Sequence, residues 1–337
     1  MNRKIKVLVV DDSLLFREVI ARGIETDPSI EVVAKAADPF DARDKILQFE
    51  PDVMTCDVEM PKMNGIEFIR RLLPQYSIPV IVISTVNEAV FDAMNAGAVD
   101  FIQKPEVQSP KSVESFLLDI IAKIKIAAKA KIVANIPVAE SSLPKVSTST
   151  NKIIAIGAST GGTEAIFSIL SKLPAEMPGI LIVQHIPSVF SKMFAERLNS
   201  QTKLNVKEAE TGDWLEKGKA LIAPGDRHMR IKRVGDKFKV EVFAGEKVNG
   251  HCPSVDILFE SVAKEAGSNA VGIILTGMGY DGARGLLAMR RKGSRTIGQD
   301  EKSSIVFGMP RVAFEIGAIE KQSALDKIPQ LLVEMLK

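Results

Sequence analysis

Lys152-Ile153-Ile154-Ala155-Ile156-Gly157-Ala158-Ser159-Thr160-Gly161-Gly162 runs from a continuously apolar segment into a glycine-rich turn, and a helical pattern begins at Thr163. A short, β-branched apolar run closed by glycines reads as a buried parallel strand, and such a strand needs a helical crossover to reach its neighbour. The stretch therefore predicts an α/β domain. It also puts Ser159 on a sharp strand-to-helix turn, with G-x-S-x-G spacing met at Gly157, Ser159 and Gly161. That geometry presents a hydroxyl as a nucleophile and turns backbone N–H groups toward a developing oxyanion. On these residues alone, a turn in which Ser159 caps the helix or binds a phosphate stands as an equal alternative.

Working outward, the same alternation continues through residues 151–337. Strands are expected at Gly179 to Gln184 and Val271 to Leu275, and helices at Thr163 to Lys172, Phe190 to Asn199, Val255 to Ala266 and Ala283 to Lys292. Between them lies a β-rich middle at Lys207 to Ala209, Lys219 to Ile222, Met229 to Arg233 and Lys237 to Phe243. This predicts a Rossmann-like, doubly wound α/β domain. Residues 129–150 lose the periodicity and gain Pro, Ser and Thr, the composition of a linker. Residues 1–128 hold five further β-α units, with strands at Ile5 to Val10, Val32 to Ala36, Val53 to Cys56, Val80 to Ile83 and Phe101 to Ile102. The intervening helices are Leu14 to Gly23, Phe40 to Phe49, Gly65 to Leu73, Glu88 to Asn95 and Ser112 to about Ala128, so a five-stranded parallel sheet with helices on both faces is expected.

The 337 residues are 46% hydrophobic and 26% charged, which suits two ordinary cores. No apolar stretch approaches the ~20 residues of a membrane span, and Ile5 to Val10 is too short for a secretory signal, so a cytoplasmic protein not embedded in a membrane is expected. Cys56 and Cys252 match no metal-ligand spacing. Residues 1–128 carry 15 basic and 20 acidic side chains, and residues 151–337 carry 26 and 21. No basic recognition stretch or helix-turn-helix pattern suggests nucleic acid.

In parallel α/β sheets, ligands gather beyond the carboxyl ends of the strands. In the first part those positions hold Asp11, Asp12, Asp57, Ser84 and Lys104. Clustered carboxylates suit a hard divalent cation such as Mg²⁺, and Lys104 suits added negative charge. N-capping by Asp11 or Asp12 and a solvated Lys104 are the plain alternatives. Asp11-Asp12, Asp57, the Pro79 to Thr85 strand end and Lys104-Pro105 together resemble the receiver domain of bacterial response regulators, over residues 5 to 125. The resemblance implies a flavodoxin-like fold in which Asp57 takes a phosphoryl group from a histidine kinase. It further implies that Asp11, Asp12, Asp57 and the backbone carbonyl at Glu59 hold Mg²⁺, while Ser84 and Lys104 sense the phosphate.

In the second part a serine nucleophile needs a base, and the chain has three histidines. His185 follows the Ile180 to Val183 strand at the sheet edge where Ser159 follows its own; His228 and His251 sit on turns and are candidates for substrate binding. For the carboxylate that orients the imidazole, Asp281 after Val271 to Leu275 ranks first, with Asp226, Asp256 and Asp300 as competitors. A rival reading uses Gly277-x-Gly279-x-x-Gly282 and Asp300 as a dinucleotide fingerprint, although Asp281 would then meet a pyrophosphate. Gly-Ala-Ser-Thr-Gly-Gly at 157–162, Gln184-His185, Ala195-Glu196-Arg197-Leu198, Pro224 to Met229, Pro253 to Asp256, Leu275 to Gly282 and Gly308-Met309-Pro310 jointly resemble the catalytic domain of chemotaxis protein-glutamate methylesterases. That resemblance implies Ser159 as nucleophile, His185 as base and acid, and Asp281 as its orienter, with Thr160, Met278 and His228 around the oxyanion and substrate pocket. It implies hydrolysis of glutamate γ-methyl esters on methyl-accepting chemotaxis receptors, deamidation of receptor glutamines, a chemotaxis histidine kinase as phosphodonor, and no cofactor for the esterase step. An output domain that only binds a partner, with Ser159 in an anion nest, is the competing class.

Overall fold

The computed structural model describes residues 3–85, 89–105, 110–130 and 152–337. The chain divides into two compact units, Met1–Asn135 and Ile136–Lys337. Most of the expected linker, 129–150, lies outside the described residues, as does the expected helix start at Glu88.

In the first unit the strands are β1 (Ile5–Val10), β2 (Ile30–Ala36), β3 (Val53–Asp57), β4 (Val80–Ser84) and β5 (Asp100–Gln103). The helices are α1 (Leu14–Ile24), α2 (Pro39–Phe49), α3 (Gly65–Leu72), α4 (Ala89–Asn95) and α5 (Pro110–Ala127). All strand pairs are parallel and the order is β2-β1-β3-β4-β5, the flavodoxin-like arrangement. Strands β3 and β4 are buried along their whole length, which is why they read as continuous apolar runs rather than alternating ones. Ser13, not Asp11 or Asp12, N-caps α1, its side chain accepting from the Phe16 N–H. Both aspartates are thereby left for the strand-end crevice.

The second unit holds β6 (Ile153–Ala158), α6 (Gly162–Leu170), β7 (Ile180–Gln184), α7 (Ser188–Gln201), β8 (Asn205–Glu208), β9 (Lys219–Ile222), β10 (His228–Val234) and β11 (Lys237–Phe243). These are followed by α8 (Val255–Glu265), β12 (Ala270–Ile274), α9 (Ala283–Arg291), β13 (Arg295–Gln299), α10 (Met309–Glu315), β14 (Lys321–Ser323) and α11 (Ile328–Leu336). Seven strands form one parallel sheet in the order β14-β13-β12-β6-β7-β9-β8. Helices α8, α9 and α10 pack together, and α6, α7 and α11 form a second group, so the sheet is doubly wound.

The β-rich middle splits in two. Strands β8 and β9 extend the parallel sheet, whereas β10 and β11 form a separate antiparallel hairpin, with a bridge from Trp214 to Lys239 on the outer edge of β11. Local periodicity cannot distinguish these outcomes, because partner choice rests on the surface each strand buries. Met229, Ile231, Phe238 and Val240 of the hairpin join the core cluster that contains Val255, Leu258, Phe259 and Val262 of α8. The chain turns toward β7 after β6 and later returns to β6's other edge with β12, so the crevice between β6 and β12 is the topological switch point.

Candidate active site

Ser159 stands directly on that switch point. Its N–H donates to Thr276 O at 3.0 Å across the crevice, and its carbonyl accepts from Gly162 N at 2.7 Å to close the turn into α6. Two glycines make the approach possible. A Cβ at Gly277 would lie 2.7 Å from Ser159 Cβ, and one at Gly162 would lie 2.1 Å from Gln184 Oε1. Gln184 donates to the carbonyls of Ser159 (2.8 Å) and His185 (3.2 Å), joining the two strand ends. Arg197 of α7 braces α6 through Glu164 at 2.8 Å.

His185 follows β7 and Ser159 follows β6, and the register pairs Ala158 with Gln184, so the two residues leave neighbouring strands side by side. His185 Nε2 lies 2.9 Å from Asp281 Oδ2. Asp281 is 2% exposed and accepts five hydrogen bonds. Oδ2 receives His185 Nε2 and Val255 N (2.7 Å), and Oδ1 receives Ser254 Oγ (2.8 Å), Asn249 Nδ2 (2.9 Å) and Asp256 N (3.3 Å). Burial alone would raise this carboxyl, but the bond and charge of His185, together with Asn249 and the Val255 N–H, hold it well below the usual carboxylate range. The two backbone donors belong to the first turn of α8, whose dipole favours the anion. An ionised Asp281 only accepts, so the Nε2 hydrogen of His185 faces it and Nδ1 is the acceptor nitrogen. Nδ1 is buried and has no hydrogen-bond partner among the described residues, and none joins it to Ser159 Oγ.

The other candidates sort differently. His228 is 1% exposed; its Nδ1 accepts from Ser254 N (3.2 Å) and its Nε2 donates to Glu246 O (2.9 Å). Both nitrogens are committed to backbone, so the ring ties two loops together. Met278 is 37% exposed, and its N–H makes no hydrogen bond among the described residues. Thr160 is nearly buried and its carbonyl accepts from Thr276 Oγ1 at 3.0 Å. Gly277 and Gly282 serve close packing, a Cβ there lying 2.7 Å from Ser159 Cβ and 2.5 Å from Val255 Cγ1, Gly279 faces open space at a φ of +83°, and Asp300 caps its own turn by accepting from Ser303 N (2.9 Å) and Oγ (2.6 Å), which removes the dinucleotide reading.

In the first unit, Asp11 is fully buried, Asp57 is 1% exposed, and ligand atoms of Asp11, Asp12 and Asp57 lie within 4.8 Å of one another. Lys104 Nζ reaches Asp57 Oδ2 at 2.5 Å and Asp11 Oδ2 at 3.2 Å, so it is a half-buried partner of both carboxylates and not a solvated lysine. Burial pushes both carboxyls up, and Lys104 opposes this only in part. Ser84 Oγ is buried without a partner among the described residues. The Glu59 N–H donates to Asp57 Oδ1 at 3.2 Å.

Two family models match: CheB methylesterase over residues 154–332 and response regulator receiver domain over residues 7–112. The chain belongs to the CheB methylesterase family. A protein-glutamate methylesterase/protein-glutamine glutaminase of Syntrophomonas wolfei is 56% identical over 99% of this chain and 98% of its own. The Salmonella typhi protein of that name is 45% identical over 98% of this chain and 96% of its own. The crystal structure of the Thermotoga maritima CheB methylesterase catalytic domain, 38% identical, covers 55% of this chain and 98% of its own with a TM-score of 0.54. Among the described residues no helix is long and apolar enough to cross a membrane.

Sequence reasoning missed Gln184 as a tie between strand ends, and Ser254 and Asn249 as holders of Asp281. Asn249-Gly250 between Val248 and His251 is a strong two-residue hairpin signal, and Ser254 directly before α8 is an N-cap signal; either could have drawn attention to this corner.

Proposed function

We propose that this chain is a phosphorylation-controlled protein-glutamate methylesterase and protein-glutamine deamidase acting on methyl-accepting chemoreceptors in the cytoplasm. The observation that supports it most is the buried, five-fold hydrogen-bonded Asp281 fixing His185 beside the Ser159 turn. In the reaction Ser159 Oγ attacks the γ-carbonyl of a glutamyl methyl ester and its proton passes to His185 Nδ1. The Met278 N–H and the backbone at Thr160 receive the oxyanion. His185 then gives that proton to the leaving group, which departs as methanol from the ester or as ammonia from the glutamine amide, and a water activated by the same nitrogen releases the glutamate. Asp281 stays ionised and steadies the imidazolium throughout.

Residues 1–128 act as the receiver, 129–150 as the linker and 151–337 as the catalytic domain in this reading. The oxygen-only donors Asp11, Asp12 and Asp57, with the Glu59 carbonyl, fit Mg²⁺, because the carboxylate ligand oxygens lie within 4.8 Å of one another and the single Lys104 ammonium leaves the cluster short of positive charge. Mg²⁺ would balance the charge of phosphate and carboxylates. Asp57 accepts the phosphoryl group from a chemotaxis histidine kinase, Lys104 pairs with it, and the unpartnered Ser84 hydroxyl turns to it. Phosphorylation then changes access to Ser159. Methanol release from methylated receptor, with and without a small-molecule phosphodonor, tests the reading. Release that depends on Ser159 and rises with the phosphodonor supports it; release unaffected by Ser159→Ala overturns the esterase assignment.

A further inference from the structure

The turn Val248-Asn249-Gly250-His251 lies outside every strand of the sheet, yet Asn249 within it and His251 at its end both reach the reacting set. Val248 N donates to His251 O (3.0 Å) and His251 N to Val248 O (2.9 Å), closing a two-residue hairpin with φ of +54° at Asn249 and +85° at Gly250. The Asn249 amide nitrogen spends one hydrogen on Asp281 Oδ1 (2.9 Å) and the other on Asp256 Oδ2 (2.8 Å). At the other end of the turn the His251 ring lies flat on the His185 ring, with centroids 3.7 Å apart and planes 10° apart. We infer that this turn is a positioning clamp for the reaction: Asn249 fixes the Asp281 carboxylate from one side while His251 fixes the plane of His185 from the other. The inference rests on the reading of Ser159, His185 and Asp281 as the reacting set.

The chemistry of each contact supports a clamp over a packing role. A carboxylate in a buried site keeps its charge only if its lone pairs are filled, and Oδ1 is the oxygen that His185 does not bond, so its donors set the tilt of the whole carboxylate. Asp256 accepts Gly285 N at 2.7 Å on its other oxygen and needs the Asn249 amide between itself and Asp281, because two buried carboxylates without an intervening donor would repel. Asn tolerates the left-handed conformation that the turn imposes and carries a donor on a short stem, so one residue meets both demands. His251 has to be uncharged to stack on a ring that becomes an imidazolium in the reaction. Burial, and the neighbouring His185, push it down to about 4, so it remains neutral through the working range. The charged or titratable groups that bear on His251 are His185, Asp281 and Lys247, and Asp256 bears in turn on Asp281.

Asn249→Gly tests this in the full chain, because glycine keeps the positive φ and removes only the amide. Expected is a fall in kcat of about 10- to 100-fold at little change in KM. With Oδ1 released from Asn249 the carboxylate is free to tilt, so the NMR resonance of the His185 Nε2 hydrogen that faces Asp281 should move from its wild-type position or be lost to exchange in substrate-free protein. Asn249→Asp, which has no donor, should not restore the rate, whereas the loss in His251→Ala should be largely recovered in His251→Phe, which retains a stacking ring. An Asn249→Gly protein that melts lower but keeps wild-type kcat and the wild-type His185 Nε2–H resonance overturns the clamp in favour of a structural turn. Should the wild-type chain release no methanol, the functional reading fails on its own, and the substrate-free His185 Nε2–H resonance still decides for or against the clamp.

Discussion

Asp57 and Asp281 are both buried carboxylates beyond the ends of parallel strands, and their surroundings are opposite. Asp281 has five donors, two of them from the first turn of α8, and its carboxyl is held far down. Asp57 has the Lys104 ammonium and the Glu59 N–H, shares its crevice with Asp11 and Asp12, and is pushed up by burial. One site is complete as it stands and the other is short of positive charge. A carboxylate that orients an imidazole has to remain the same anion through the catalytic cycle, so its environment is filled. A carboxylate that is to be phosphorylated has to admit a cation and a phosphoryl group, so its environment is left under-compensated.

The comparison breaks first at the nucleophiles. Ser159→Ala should reduce methanol release from methylated receptor to the level of a protein-free control, and Asp57→Asn should abolish incorporation of label from a phosphodonor; persistence of either signal removes the corresponding site. Next comes Asp281→Asn, which keeps the shape but loses the charge and the imidazole orientation, and should lower kcat on the order of 10⁴-fold. A variant retaining most of the rate would transfer the orienting role to Asp256.

Stability should separate the two carboxylates in sign. Asp281→Asn places an amide N–H₂ against existing donors and should destabilise the second unit by about 2–4 kcal/mol in thermal or denaturant unfolding. Asp57→Asn removes an under-compensated buried charge while Asp11 remains to pair Lys104 at 3.2 Å, so the first unit should melt higher. The folded-state pKa of Asp57 lies above its unfolded value of 3.8, so its ionisation costs stability as pH rises past that value and through the folded pKa. The melting advantage of Asp57→Asn should therefore be largest near neutrality and shrink as pH falls toward 4. Asp281 behaves inversely: its contribution is present above the unfolded value of 3.8 and is lost as pH falls through the depressed folded pKa.

The smallest effect expected is that of the cation. Millimolar Mg²⁺ should raise the melting temperature of the wild-type first unit by a few degrees at most, less so in Asp57→Asn, and leave the second unit unchanged. An equal effect on both units would show a general salt response and remove the ion from the crevice of Asp11, Asp12 and Asp57.

Much of this was legible in the chain. Apolar runs such as Val80–Ser84 and Ile153–Ala158 mark fully buried strands because every residue in them is covered on both faces. The residues just beyond them, Asp11, Ser159, His185 and Lys104, follow from the rule that ligands collect at the strands' carboxyl ends. Sequence also set limits on type: no span for a membrane and no basic stretch for nucleic acid. It could not tell that β8 and β9 would extend the sheet while β10 and β11 would leave it, because strand partners are chosen by the area buried against α8 and not by alternation. His228 reads on paper like any other turn histidine, and only the folded chain commits both its nitrogens to backbone. Asn249, Ser254 and Asp256 are separated from Asp281 by 25 residues or more, and only the tertiary fold brings them onto one carboxylate. Strand and turn identity is a local property of side-chain pattern, whereas the charge state and aim of a catalytic group depend on donors that distant segments deliver.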